Sequence, residues 1–213
     1  MERYGEKPKK FTKAWFEYVW DYYKLHIIIG LIVIVAIVYT WIAITTAEKY
    51  DLYICIAGEY SISDTSKEKI KDSLKDKISD INGDGEVKIQ ILDYSIPQNY
   101  SDAEYAAAMQ QKLDLELQAG DSFIFVVSKD NADRIAATPA MEGLFESSGK
   151  LNNKENENKY FAPADNSDFL KNAGIPFNDL YIGVRNFTYN EGNEEDVAHR
   201  ANALIAAKSI LGN

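Results

Sequence analysis

Ile27 to Thr46 reads IIIGLIVIVAIVYTWIAITT, twenty residues without a charge. At about 1.5 Å per residue, a helix of that length crosses a hydrocarbon layer of roughly 30 Å. A buried core helix of this length without a polar face is uncommon. The stretch therefore reads as a transmembrane helix and divides the 213-residue chain into a tail, 1–26, and an outer domain, 50–213.

The flanks set the expected direction. Arg3, Lys7, Lys9, Lys10, Lys13 and Lys24 precede the helix, against four acidic residues, whereas only Lys49 follows closely, between Glu48 and Asp51. Such an excess favours a cytoplasmic N-terminus. Tyr18, Trp20, Tyr22 and Tyr23 before the helix, and Tyr39 and Trp41 near its far end, match two interfacial aromatic belts. A cleaved signal peptide is the rival reading, with Thr45-Thr46-Ala47 as a poor cleavage site. Its apolar region is usually shorter and ends in small residues, whereas Trp41 and Ile44 are bulky. An uncleaved signal anchor in the cell membrane is the preferred expectation. Phe11 to Lys24 alternates aromatic positions (Trp15, Tyr18, Tyr22) with Lys13, Glu17 and Asp21 on another face. It predicts an amphipathic helix lying on the inner lipid surface before the chain turns in, with docking of a membrane partner as the alternative.

Beyond the anchor the chain turns acidic. Past residue 26 it carries 17 basic and 29 acidic residues, a balance that repels nucleic acid and excludes it as a partner. Cys55 is the single cysteine, so no internal disulfide forms; it sits in the apolar run Leu52–Ala57 and reads as a small buried hydrophobe.

That run is the first of four predicted strands, followed by Val87–Leu92, Phe123–Val127 and Leu180–Phe187. Between them lie predicted helices over Ser66–Ser79, from Ser101 with Glu104 completing a capping box and Gly120 as C-cap, and over Asn131–Ala137. A last helix over Glu194–Leu211 carries Val197, Ala201, Leu204, Ala207 and Leu211 on its expected core face. Residues 149–159 (GKLNNKENENK) read as an exposed polar loop. Strands alternating with helices imply parallel pairing and right-handed crossovers. The expected fold class is α/β: one transmembrane helix, then a three-layer α/β/α domain with a mostly parallel sheet of about four to five strands. The last strand is the one left open to be antiparallel or at an edge.

Tyr50 to Gly149 resembles the first lobe of bacterial extracytoplasmic solute-binding proteins. The features that carry it are the strand–helix–strand opening, the helix ending Leu117-Gln118-Ala119-Gly120-Asp121, and Gly143-Leu144-Phe145-Glu146. The resemblance implies a ligand-binding lobe. The 64 residues from Lys150 are too few for the second lobe such proteins close around a cleft. The whole layout also resembles uncharacterised single-span membrane proteins of Gram-positive anaerobes.

Two places carry the candidate chemistry. Asp80-Ile81-Asn82-Gly83-Asp84-Gly85-Glu86-Val87 opens like a calcium loop, with oxygen ligands at alternate positions (Asp80, Asn82, Asp84, and Glu86 beyond the glycine). The twelfth position is Ile91 where an EF-hand supplies glutamate, and Asn82-Gly83 and Asp84-Gly85 form tight turns without any metal. The metal-free turn is the preferred reading and Ca2+ the alternative. The second place is the carboxyl ends of the strands, where open α/β sheets bind ligands. These are Gly58-Glu59-Tyr60, Asp93-Tyr94, Ser128-Lys129 and Arg185-Asn186, giving ligand candidates Glu59, Tyr60, Asp93, Tyr94, Lys129 and Asn186, against the reading of ordinary loops.

No nucleophile–base pair stands out. His26 marks the membrane boundary, and His199 is expected to face solvent. No phosphate-binding glycine loop is present. Asn99-Tyr100-Ser101 and Asn186-Phe187-Thr188 match a glycosylation pattern by chance. The expectation is a noncatalytic, membrane-anchored extracytoplasmic domain, touching the lipid bilayer and binding another envelope protein. A transporter-linked receptor for a small solute such as a sugar or peptide comes second, and an envelope hydrolase third.

Overall fold

A computed structural model describes residues 9–46, 48–97, 101–119, 121–165, 167–175, 179–186 and 194–212. It divides into two compact units, 1–48 and 49–213.

The first unit is one helix, α1, Lys13–Thr45. The Thr12 side chain accepts from the Trp15 N–H at its start, and the Thr46 N–H donates to the Ile42 carbonyl at its end. The aromatic segment and the apolar segment form one continuous helix. Lys24, Leu25 and His26 contain no proline or glycine to break the backbone ladder, and Gly30 alone does not. At about 1.5 Å per residue the 33 residues reach roughly 50 Å, longer than a hydrocarbon core. The helix is long and apolar enough to cross a membrane, and none of its apolar window is buried.

The second unit holds five strands: β1 Leu52–Ala57, β2 Ile89–Asp93, β3 Ile124–Ser128, β4 Phe161–Pro163 and β5 Leu180–Val184. Their order is β2-β1-β3-β5-β4. β1 pairs in parallel with β2 and β3, while β5 runs antiparallel to both β3 and β4. The sheet is therefore mixed and not mostly parallel. The apolar run of β5 reports burial on both faces, which says interior but says nothing of direction. β5 fills the place between β3 and β4. Gly183 lies under the Phe161 ring, where a Cβ would come within 2.5 Å of the ring carbon.

Six more helices accompany the sheet: α2 Asp64–Lys75, α3 Ala103–Ala119, α4 Lys129–Ala137, α5 Gly149–Asn152, α6 Asp168–Ala173 and α7 Glu194–Leu211. α2 starts where the Ser63 hydroxyl accepts from the Ser66 N–H, and buries Ser66, Ile70 and Leu74 at four-residue spacing. α3 is capped by Asp102, not Ser101: its carboxylate accepts from the Glu104 and Tyr105 N–H groups. Gly120, the expected C-cap, lies outside the described residues, as do Ala47, residues 1–8, Asn99, Tyr100, Phe187 and Thr188.

Alternate residues of β1 feed two apolar clusters. Leu52, Ile54 and Ile56 join Ile70 and Leu74 of α2, Leu170 of α6, and Ala203, Ala206 and Ala207 of α7. Cys55 and Ala57 join Leu113 and Leu117 of α3 and Ile135 of α4. Cys55 is fully buried, and burial pushes its thiol well above the usual range.

Two expectations change. On α7, Ala207 is buried and Leu204 and Leu211 pack against the core as expected, but Val197 and Ala201 are exposed, and Asn202, Ala203, Ala206 and Ile210 complete the buried face. Small alanines let the helix backbone approach the sheet. Within 149–159, Gly149–Asn152 is helical and Leu151 is fully buried, so the polar composition conceals an anchor point.

Candidate functional site

The two ends of the sheet use polar side chains differently. At the amino end of β1, Asp51 is fully buried. Its Oδ1 accepts from the N–H groups of Ile81 (2.7 Å) and Asn82 (3.2 Å), and its Oδ2 from that of Lys88 (2.8 Å). Asn202 donates to the Asp51 carbonyl (3.3 Å) and the Ser79 carbonyl (2.7 Å), and accepts from the Ser79 N–H (2.9 Å). His199 stacks on Phe123 with ring centroids 5.8 Å apart, its Nδ1 3.2 Å from the Asp51 carbonyl. It is half-buried structure and not the solvent-facing residue expected.

The calcium-like turn hangs from this hub. Asp80 accepts from the Gly83 and Gly85 N–H groups at 2.7 and 2.8 Å, Asn82 from that of Asp84, and Asp84 from that of Glu86. Lys88 donates to Asp84 at 2.7 Å, and that hydrogen bond holds the Asp84 carboxyl below its usual range. Gly83 and Gly85 have φ of 72° and 88°, the left-handed region that favours glycine. These bonds tie the turn to itself within the chain. Among the described residues no group of three or more His, Cys, Asp or Glu is arranged to hold a metal ion. Glu86 contributes only its backbone to this ring of bonds.

The carboxyl edge is the other end. Because β1, β2 and β3 are parallel, Gly58-Glu59-Tyr60, Asp93-Tyr94 and Ser128-Lys129 share it. β5 is reversed, so Arg185 and Asn186 sit at the opposite end, against the start of β3: the Arg185 N–H donates to the Phe123 carbonyl and the Asn186 N–H to the Leu144 carbonyl. Arg185 is buried structure. Its guanidinium donates to the Glu116 and Leu117 carbonyls at the end of α3, and lies 5.3 Å from the centre of the Phe125 ring. What joins the carboxyl edge instead is the start of β5. The Lys129 N–H donates to the Asp179 carbonyl, and the Lys129 ammonium stands 5.8 Å from the centre of the Tyr181 ring.

Of the residues at this edge, Asp93 and Ser95 are committed to architecture. Asp93 accepts from the Ile62 and Ser95 N–H groups, and Ser95 from the Gly58 N–H. Glu59 and Tyr60 are exposed. Lys129 donates to Asp133 at 2.8 Å, which holds the ammonium pKa up, and Asp133 is lowered by Lys129 and by the Asn158 amide. Tyr94 is half-buried, and its phenol is pushed up to about 12 by burial, the Glu116 and Cys55 charges, and a hydrogen bond to Glu116. The edge thus presents acidic side chains, an ammonium and tyrosine rings.

β1 and β3 are neighbours whose outgoing connections lead to opposite sides: β1 to β2 through α2, and β3 to β4 through α4 and α5. This is the switch point where open α/β sheets take ligands. Tyr181 could not be assigned to it from sequence, because that needs the direction of β5, whereas Asp133 follows Lys129 by one helical turn of α4. Glu146, from the stretch read as solute-binding-like, is buried and pairs with Lys150 (2.8 Å) and with Arg200 of α7. Comparison with family models, with curated proteins and with solved structures returned no match.

Proposed function

We propose that the chain is a noncatalytic, membrane-anchored binding domain that displays the carboxyl edge of β1 and β3 outside the cell to another envelope protein. The carrying observation is the contrast at that edge: Asp93 and Ser95 lock the loop after β1, while Glu59 and Tyr60 on the same loop are exposed and Lys129 faces Tyr181. A rigid loop that holds out a charge and a ring is suited to recognition. The uncharged run from Ile27, with its basic N-terminal flank, supports an uncleaved anchor with the tail in the cytoplasm. Two apolar clusters fed by alternate residues of β1 support helices on both faces of the sheet, a three-layer α/β/α build.

The test is site-specific photo-crosslinking in intact cells. A benzophenone amino acid at Tyr60 or Lys129 should give a discrete adduct that the same group at Lys75 of α2 does not. Equal labelling at all three positions, or none, would end the recognition-edge reading. Protease added outside the cells should remove the domain and spare the tail; protection of the domain would reverse the orientation.

A further inference from the structure

The outward face of α7 carries a symmetric pattern that neither the fold nor the carboxyl edge uses. Asn202, Ala203, Ala206, Ala207 and Ile210 face the core. The opposite face shows Glu194, Val197, Ala201, Ile205 and Lys208, all exposed, with Val197 at 61% and Ile205 at 43%. Ala201 is the centre of this row. Val197 and Ile205 lie four residues to either side of it, and Glu194 and Lys208 seven to either side. With 3.6 residues per turn, those spacings bring all five onto one stripe.

A stripe with that order is complementary to itself when reversed. Two copies of α7 packed antiparallel about a two-fold axis at Ala201 place Val197 against the partner copy's isoleucine at the Ile205 position. They also place Glu194 against the lysine at the Lys208 position, twice per interface. A parallel arrangement instead sets Glu194 against its own equivalent. Alanine at the crossing point allows the two backbones close together, and each carboxylate sits at the first turn of its helix, where the dipole favours it. We propose that this face of α7 is the docking surface for a second copy of the same chain, joined antiparallel through Ala201.

The patch is far smaller than the roughly 800 Å² per partner of a stable free interface. It suits chains already held in one bilayer by α1, where confinement raises the effective concentration. The proposal is independent of what the carboxyl edge binds.

Cysteine crosslinking of the full chain in its membrane tests it, since native Cys55 is fully buried and silent. Ala201→Cys should form a disulfide-linked dimer under mild oxidation, because bridged cysteines need Cα atoms within about 7 Å. Val197→Cys should crosslink to co-expressed Ile205→Cys, and far less to itself, the two positions being about 12 Å apart along the helix. Asp72→Cys on α2 is the control. In the Ala201→Cys background, Glu194→Lys or Lys208→Glu should lower the yield several-fold, and the double exchange should restore it. Dimer yields equal at positions 72 and 201, or a double exchange no better than either single one, would overturn the proposal. The first result would also assign any dimer to contacts other than α7.

Discussion

The amino and carboxyl ends of the sheet carry comparable polar residues and put them to opposite uses. At the amino end, Asp51, Asp80, Asn82 and Asp84 all turn inward onto backbone N–H groups. At the carboxyl end Asp93, Ser95 and Asp165 do the same service, while Glu59 and Tyr60 are exposed. An acidic residue in this protein can thus replace backbone pairing as well as face solvent. Composition alone cannot tell the two apart, because both roles ask for a short side chain with an accepting oxygen near a turn.

Substitutions separate the two roles, and Asp51→Ala is expected to act most strongly. It strands three N–H groups and opens a hole at a fully buried position. Loss of about 3–5 kcal/mol is expected, read as a fall of roughly 10 °C or more in the thermal midpoint. A fall under 2 °C would mean that the hub is not structural.

Glu146→Ala comes next, at about 2 kcal/mol, since it removes a buried hydrogen-bonded carboxylate while Arg200 and Lys150, partly exposed, regain water. Burial raises the Glu146 carboxyl, but the Lys150 and Arg200 hydrogen bonds and charges outweigh it, and the net direction is down. A group lowered in the folded state stabilises above its unfolded pKa and loses that contribution as pH falls through the folded value. Stability should therefore decline on acidification below the ordinary glutamate range, and less steeply in Glu146→Gln. Parallel acid limbs for the two proteins would remove this pair from the account.

Asp80→Ala should cost a smaller amount, about 1–2 kcal/mol, through two lost bonds in an exposed turn. Millimolar calcium should leave the midpoint of the parent protein unchanged. A saturable rise abolished by Asp80→Ala would move the turn from architecture to ligand binding. The weakest effect on stability belongs to Glu59→Ala and Lys129→Ala, each leaving the thermal midpoint close to that of the parent, as is usual for surface positions. Those two should nevertheless lower partner crosslinking. Strong destabilisation by either would make the carboxyl edge a second structural hub.

Much of the framework was legible from periodicity. β1 and α7 fall on the expected residues, and nineteen of the twenty uncharged residues lie within α1, with Thr46 as its cap. What was not legible follows from three physical causes. β4 is three residues ending in proline, too short to alternate. The direction of β5 is fixed by the gap between β3 and β4, a long-range matter that removed Arg185 and Asn186 from the candidate edge and brought in Tyr181. On α7, apolar size pointed to the Val197 side, whereas close packing on the sheet selected the alanines. The Asp51 hub had one visible sign, a charged residue at the threshold of an apolar strand, and its partner Asn202 interrupts an alanine-rich face.

The bonds from Asn202 and His199 to Asp51 join residues 151 and 148 positions apart in the chain. At ordinary synthesis rates of about 5–20 residues per second, roughly 8 to 30 s separate the emergence of the first strand from that of the helix that fastens it. Throughout that interval the Leu52–Ile54–Ile56 row has no α7 to cover it. α7 is therefore a closing step for this face of the sheet: until its eighteen residues arrive, the first strands stand with an apolar row that lacks its alanine-rich cover.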